Sequence, residues 1–151
     1  MEARLIINVI DSLDSTSATD ALSANQGRVL NEKVEEVRDS IPVVEDSGWN
    51  DLELLNGAIP FSNEQRPRYR KIGNQVFIKG VYKGLAQTGV TIGSLPAGFR
   101  PATKVIYVQS GTAYRIDRVD IDTNGDIFYG ASTSAPEVNS WHSLHTSFLI
   151  D

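Results

Sequence analysis

Up to Pro42 the apolar residues of this 151-residue chain follow helical spacing, and glycine occurs only at position 27. Beyond Pro42 they alternate in short runs punctuated by glycine and proline. Residues Ser23 to Ser40 are predicted to form one helix. Ser23 and Gln26 supply the S-x-x-Q capping-box pattern, in which each side chain satisfies an otherwise unpaired backbone N–H. Leu30, Val34, Val37 and Ile41 follow at spacings of 4, 3 and 4, and Gly27 extends the series upstream. They describe a coiled-coil seam, with Gly27, Val34 and Ile41 at a and Leu30 and Val37 at d. Arg28, Glu32, Lys33, Glu35, Glu36 and Arg38 cover the flanks, and Pro42 disfavours the helical conformation at Ile41.

The seam is narrower than the stripe of a helix lying on its own domain, which favours self-association. Four seam side chains at ~1.5–3 kcal/mol each contribute roughly 6–12 kcal/mol if fully buried. Ordering the helix backbone costs more, at ~1–2 kcal/mol per residue. The isolated helix is therefore marginal and needs partners. Seam chemistry leaves their number open, because the mixture of β-branched residues and leucine suits more than one state. Upstream, Ile6, Ile10 and Leu13 also sit at helical spacing, so residues 3–13 are read as a second, shorter associating segment. The Ser-, Thr- and Asp-rich stretch from Asp14 to Asp20 ends it. Residues 1–44 thus form a helical stalk and linker, with the coiled coil at about 23–41, and residues 45–151 form a head.

The head reads as many short strands. Gln75 to Lys83 alternates Val76, Ile78 and Tyr82 with Phe77 and Val81, as in a strand covered on two sides. Lys104 to Gln109 is similar, with Val105 and Tyr107 opposed by Ile106 and Val108. Tyr114 and Ile116 share one phase while Val119 and Ile121 take the other, which predicts a β-bulge near Asp117 and Arg118. Asn124-Gly125 is a strong hairpin signal. Trp141 to Ile150 sets Leu144, Phe148 and Ile150 on one face, with Trp141 opposite. The expected fold is mainly β with an N-terminal α-helix: a short coiled-coil stalk followed by an antiparallel, jelly-roll-like β-sandwich head.

Composition adds exclusions. Hydrophobic residues make up 40% and charged residues 22%, enough apolar surface for a core. No apolar run reaches the ~20 residues a membrane span requires, and no secretory leader is recognisable. Cysteine is absent, which removes disulfides and thiolate chemistry. A net charge of −5 argues against nucleic acid as a partner.

The segments Val9-Ile10-Asp11-Ser12-Leu13 and Ala21-Leu22-Ser23-Ala24-Asn25-Gln26-Gly27-Arg28-Val29-Leu30 resemble the linker and stalk motif of phage tail-fibre and baseplate proteins. The head resembles the C-terminal domains of phage receptor-binding proteins, particularly of phages infecting Gram-positive hosts. It does so at Tyr69 to Val76, at Leu95-Pro96-Ala97-Gly98-Phe99-Arg100-Pro101, at the Asn124-Gly125 hairpin and at Trp141-His142-Ser143-Leu144 with Phe148. The resemblance implies a homotrimer whose heads attach the virion to a host cell-surface saccharide, a wall glycan or teichoic-type polymer. The alternative is an architectural baseplate or fibre protein that docks other phage proteins without binding glycan. Either way the chain belongs on the virion and is made in the cytoplasm.

Candidate ligand contacts follow from side-chain chemistry. Arg66, Arg68, Arg70 and Lys71 form the main basic cluster; in an extended segment the three arginines share a face and suit phosphate. A solvated strand pairing with acidic neighbours is the preferred reading of such a run. Trp141, if exposed, can stack on a sugar ring, and Tyr114, Arg115 and Tyr129 near the bulge and hairpin are further candidates. Trp49 is assigned to packing at the stalk–head junction. Asp120 to Gly125 copies the start of a calcium loop, but its twelfth position is Ala131, so a plain turn is preferred. His142 and His145, three apart in a strand, point to opposite faces and cannot share a metal. No metal or other cofactor is expected, and with no nucleophile, zinc or phosphate-loop motif the chain is read as a non-enzyme.

Overall fold

A computed structural model describes residues 7–18 and 20–150, which divide into two units, Met1–Val43 and Val44–Asp151. The first holds β1 (Val9–Ile10), β2 (Ala21–Leu22) and α1 (Ala24–Ser40). β1 and β2 pair in parallel, Val9 with Ala21 and Ile10 with Leu22. This corrects the helical reading of residues 3–13. Residues 7–13 contain no helix, and residues 3–6 lie outside the described ones.

Asp11 supplies the reason. Its carboxylate accepts from the Ser23 hydroxyl and, at 3.2 Å, from the Asn25 amide, while its carbonyl accepts from Gln26 Nε2 at 3.1 Å. Ser23 contributes most to holding the Asp11 carboxyl below its ordinary pKa. Ser23 caps the helix as expected, accepting from the Gln26 N–H at 3.0 Å. The reciprocal half of the capping box differs: the Ser23 N–H donates to the Ile10 carbonyl, which frees the Gln26 side chain for Asp11. Ile41, ahead of Pro42, leaves the helix at φ −71° and ψ 116°. α1 buries none of its residues in the single chain. Leu30, Val34, Val37 and Ile41 stand 47%, 55%, 62% and 63% exposed, an apolar stripe without cover.

The second unit contains β3 (Asn50–Asp51), β4 (Ile59–Pro60), β5 (Arg68–Ile72), β6 (Gln75–Lys79), β7 (Val81–Lys83) and β8 (Val90–Ser94). It continues with β9 (Val105–Gly111), β10 (Arg115–Ile121), β11 (Asp126–Ser132), β12 (His142–Ser143) and β13 (Thr146–Leu149). Seven strands form one sheet in the order β4-β7-β12-β9-β10-β11-β8, and four form another in the order β13-β6-β5-β3. Their pairings are antiparallel. Val76, Ile78 and Phe148 from the smaller sheet meet Tyr82, Ile92, Val119, Ile121, Ile127 and Tyr129 from the larger in one core. The head is a β-sandwich.

The expected single strand from Gln75 to Lys83 is two, because Gly80 carries the chain from one sheet into the other. The run from Trp141 breaks beside it: the Leu144 N–H donates to the Gly80 carbonyl at 2.9 Å, and β12 and β13 fall in different sheets. Gly80 sits at φ 135°, and a Cβ there would lie 2.4 Å from Pro67 Cα and 2.6 Å from Pro67 N. Backbone cannot retreat as a side-chain tip can. Gly80→Ala is therefore expected to destabilise the head by about 2–3 kcal/mol, lowering Tm by roughly 10 °C or more in a thermal melt.

Two further expectations change. β9 is covered on one side only: Val105 and Tyr107 pack on the core, whereas Ile106 and Val108 are 56% and 65% exposed, next to Ile116 at 53%. The bulge is present where predicted but on the partner strand. β10 keeps register with β9 throughout, and the shift falls between Arg118–Ala131 and Val119–Tyr129, leaving Gly130 as the extra residue of β11. β10 keeps its phase by turning Arg115 and Asp117 inward and Ile116 outward. Asn124-Gly125 forms the expected turn, with Gly125 at φ 95° and its N–H on the Asp122 carbonyl at 2.8 Å.

Candidate functional site

β4, β7 and β12 lie side by side, with Pro60 opposite Tyr82 and Tyr82 opposite His142. Strand alternation then sorts the side chains. Tyr82 and His142 point inward, fully buried and stacked with ring centroids 5.1 Å apart. Their neighbours Val81 and Trp141 face outward, and the Phe61 N–H reaches the Val81 carbonyl at 2.9 Å. Phe61, Trp141, Gln65 and Val81 line a hollow of about 160 Å³, nearly all of it apolar. Phe61 is 39% exposed and Trp141 half-buried, so both rings contribute a face.

Gln65 and Val81 also line an adjoining hollow of about 150 Å³, whose other walls include Glu64, Arg66, Arg68, Lys79 and His145. The β5–β6 hairpin sets Arg68 directly opposite Lys79 on the outer face of the smaller sheet. Like charges so placed repel, and a counter-charge stabilises them. Asp51, opposite Arg68 on β3, supplies one: it accepts from Arg68 Nε and Arg66 Nη1, both at 2.7 Å. Those arginines, Arg68 first, hold the Asp51 carboxyl below its ordinary pKa. Arg68 commits only its Nε, and Lys79 rests over the Trp49 ring at 4.1 Å with no acidic partner among the described residues. Three cations against Asp51 and Glu64 leave this end with a surplus of positive charge, in a chain whose net charge is −5. A larger hollow of about 500 Å³ beside Asn56, Leu85, Gln87 and Val90 offers neither a charged nor an aromatic side chain.

The sequence candidates separate. Trp141 lines the apolar hollow and Arg68 the charged one, and Gln65 and Val81 line both. Arg70 is paired with Asp46, whose carboxyl it holds down to about 2, and lies 5.9 Å from the Trp49 ring. Trp49 thus packs beneath Arg70 and Lys79 on the smaller sheet. Two surface assignments are corrected. Arg115 is buried, donating from Nε to Ser134 Oγ at 2.9 Å and from Nη2 to the Ala135 carbonyl at 2.8 Å. Tyr129 is fully buried, its hydroxyl on Asp117 Oδ1 at 3.0 Å, and burial pushes its phenol up to about 12. Tyr129 serves an interior network around Asp117, whose Oδ2 meets His142 Nδ1 at 2.8 Å. His145 is exposed and bonded to Ser143, so the two histidines are apart as expected. The described residues contain no cluster of three His, Asp or Glu suited to a metal ion.

Tyr114 occupies the tip of the β9–β10 hairpin and is fully exposed. Ala113 (φ 56°) and Tyr114 (φ 61°) are both left-handed, a conformation costing non-glycine residues roughly 1–2 kcal/mol each. The turn is anchored at its base: the Thr112 N–H donates to the Trp141 carbonyl at 3.0 Å, and the Trp141 N–H to Thr112 Oγ1 at 2.7 Å. Phe61, Gln65 and Lys79 were not singled out in the sequence. The Gly73-Asn74 turn signal fixes the register that sets Lys79 against Arg68, so that residue was within reach. Phe61 was not, because β4 joins β7 from a distant part of the chain.

Residues 9–41 match the family of phage tail fiber repeats. They include Asp11, Ser23, Asn25 and Gln26, the residues that tie β1 to the helix start. The fold is shared with the receptor binding protein (gp15) of Listeria phage PSA, at a TM-score of 0.62 and 18% sequence identity. That match covers 89% of this chain and 82% of the other. No curated protein sequence matches the chain. No helix among the described residues is long and apolar enough to cross a membrane.

Proposed function

We propose that this chain is an attachment protein of a phage tail, and that its head holds an anionic saccharide of the host surface. The adjoining hollows carry the reading. Phe61 and Trp141 offer apolar faces to a sugar ring, and Arg66, Arg68 and Lys79 offer charge to a phosphate or carboxylate linked to it. Gln65, between them, can exchange hydrogen bonds with sugar hydroxyls. The exposed helical seam supports assembly into a trimer, in which modest affinity per head is raised by multivalency. The protein acts on the virion.

Sedimentation of the full chain with purified bacterial walls tests this, using walls that carry polyol-phosphate polymers and the same walls stripped of them. Binding to the first and not the second is expected. It should weaken about tenfold in Trp141→Ala, corresponding to ~1.4 kcal/mol of lost stacking, and comparably in Lys79→Glu, with melts confirming both heads folded. A second reading, docking to another phage protein, draws on the exposed face of Ile106, Val108 and Ile116, which suits a protein surface better than a sugar. Failure to bind any wall preparation, with these variants indistinguishable from wild type, would favour it.

A further inference from the structure

We propose that the Thr112–Arg115 turn is a strained mount that holds Tyr114 as a second sugar platform beside the Phe61–Trp141 groove, so that the ligand is a polymer spanning several units. This rests on the groove's binding a saccharide. The head itself supplies the comparison. Its β10–β11 hairpin needs a positive φ at one position of the Asn124-Gly125 pair, and a glycine, Gly125 at φ 95°, occupies it. At the β9–β10 hairpin positive φ falls instead on two successive residues with side chains, Ala113 and Tyr114, neither of which favours it. Folding alone gains nothing from that choice, since Asn-Gly there would relieve the strain. What the choice does provide is an aromatic ring, wholly exposed, on a backbone with little freedom to move.

Strain of this kind persists where the surroundings over-determine it, and here they do. Thr112 shares three hydrogen bonds with the Trp141 backbone, and Arg115, next after the tip, is buried with two bonds to Ser134 and the Ala135 carbonyl. Tyr114 is thereby fixed relative to Trp141, two residues along a tight turn from the Thr112 that is bonded to the Trp141 backbone. A single sugar seated on Trp141 leaves the Tyr114 ring uncovered. A chain of linked sugars or sugar-bearing units reaches both. Rigid mounting matters for a contact of this sort, because a ring already held in place loses little freedom on binding.

The test is the full chain carrying Ala113→Asn with Tyr114→Gly. Its Tm should rise by about 5 °C as strain is relieved. Its binding to walls bearing polyol-phosphate polymers should fall about tenfold, while Tyr114→Phe, which keeps the ring, stays within about twofold of wild type. A short synthetic probe, one sugar-substituted glycerol phosphate unit, should bind wild type and the Asn-Gly variant equally. A long oligomer of the same unit should separate them. Unchanged wall binding by the Asn-Gly variant, with Trp141→Ala still impaired, overturns the platform and leaves the groove standing. A Tm that fails to rise removes the strain argument. If wild type binds no wall material, both readings fall together.

Discussion

Asp117→Ala is expected to destabilise the head by about 3–5 kcal/mol, a large part of the stability of a domain this size. Asp117 is completely buried and serves two partners, His142 Nδ1 on Oδ2 and the Tyr129 hydroxyl on Oδ1. Truncation leaves both without a partner in the interior, at ~1–3 kcal/mol for each buried polar group, and opens a cavity besides. The same residue ties stability to pH. Burial pushes the Asp117 carboxyl up, but the hydrogen bond to His142 leads a set of interactions that hold it below its ordinary value of 3.8. A carboxyl depressed in the folded state contributes stability that is complete above the unfolded pKa and is lost as pH falls below it. Denaturant titrations should therefore show wild type losing stability below about pH 4 and Asp117→Ala losing less over that range. Equal acid sensitivity would show that carboxyls elsewhere carry it. Asp46, held down to about 2 by Arg70, is the first of those to examine.

Charge placed in the stalk seam is expected to have the second large effect. Leu30→Asp with Val37→Asp puts two carboxylates at d positions of a stripe that the single chain leaves open. Light scattering should find wild type as a small assembly and the double variant as one chain, with reduced helix content because an uncovered helix of this length is marginal. Wall retention should fall by ~10²-fold or more, the range over which linked sites raise avidity. The isolated head should keep its melting temperature. A wild-type chain that already runs as a single subunit at micromolar concentration removes the trimer and the avidity argument with it.

The helix, its N-cap and its end at Pro42 were legible because each is written within a few neighbouring residues. So was the β character of the head, with its Asn124-Gly125 turn. What misled was chemistry acting over a longer span. Ile6, Ile10 and Leu13 have helical spacing, yet Asp11 is bonded to Ser23, Asn25 and Gln26, and those bonds select a strand pair that spacing cannot reveal. Ile116 belongs inside by hydrophobicity, but Asp117 is already there, held by residues from β11 and β12. A polar core inverts the pattern that periodicity reads. At the candidate site Trp141 could be placed by alternation, and Arg68 by composition. That their two hollows share Gln65 and Val81 could not be read, because it depends on Gly80 passing the chain between sheets.

β12 is two residues long, yet it separates what the head must keep from what it is free to alter. His142 faces the interior, locked to Asp117, while Trp141 and Ser143 on either side face solvent. Substitution at the outward positions, or at Phe61, Gln65 and His145 across the groove, leaves the sandwich's internal bonds untouched. Under the proposed attachment role, recognition chemistry can therefore be redrawn one outward side chain at a time while the Asp117 network stays intact.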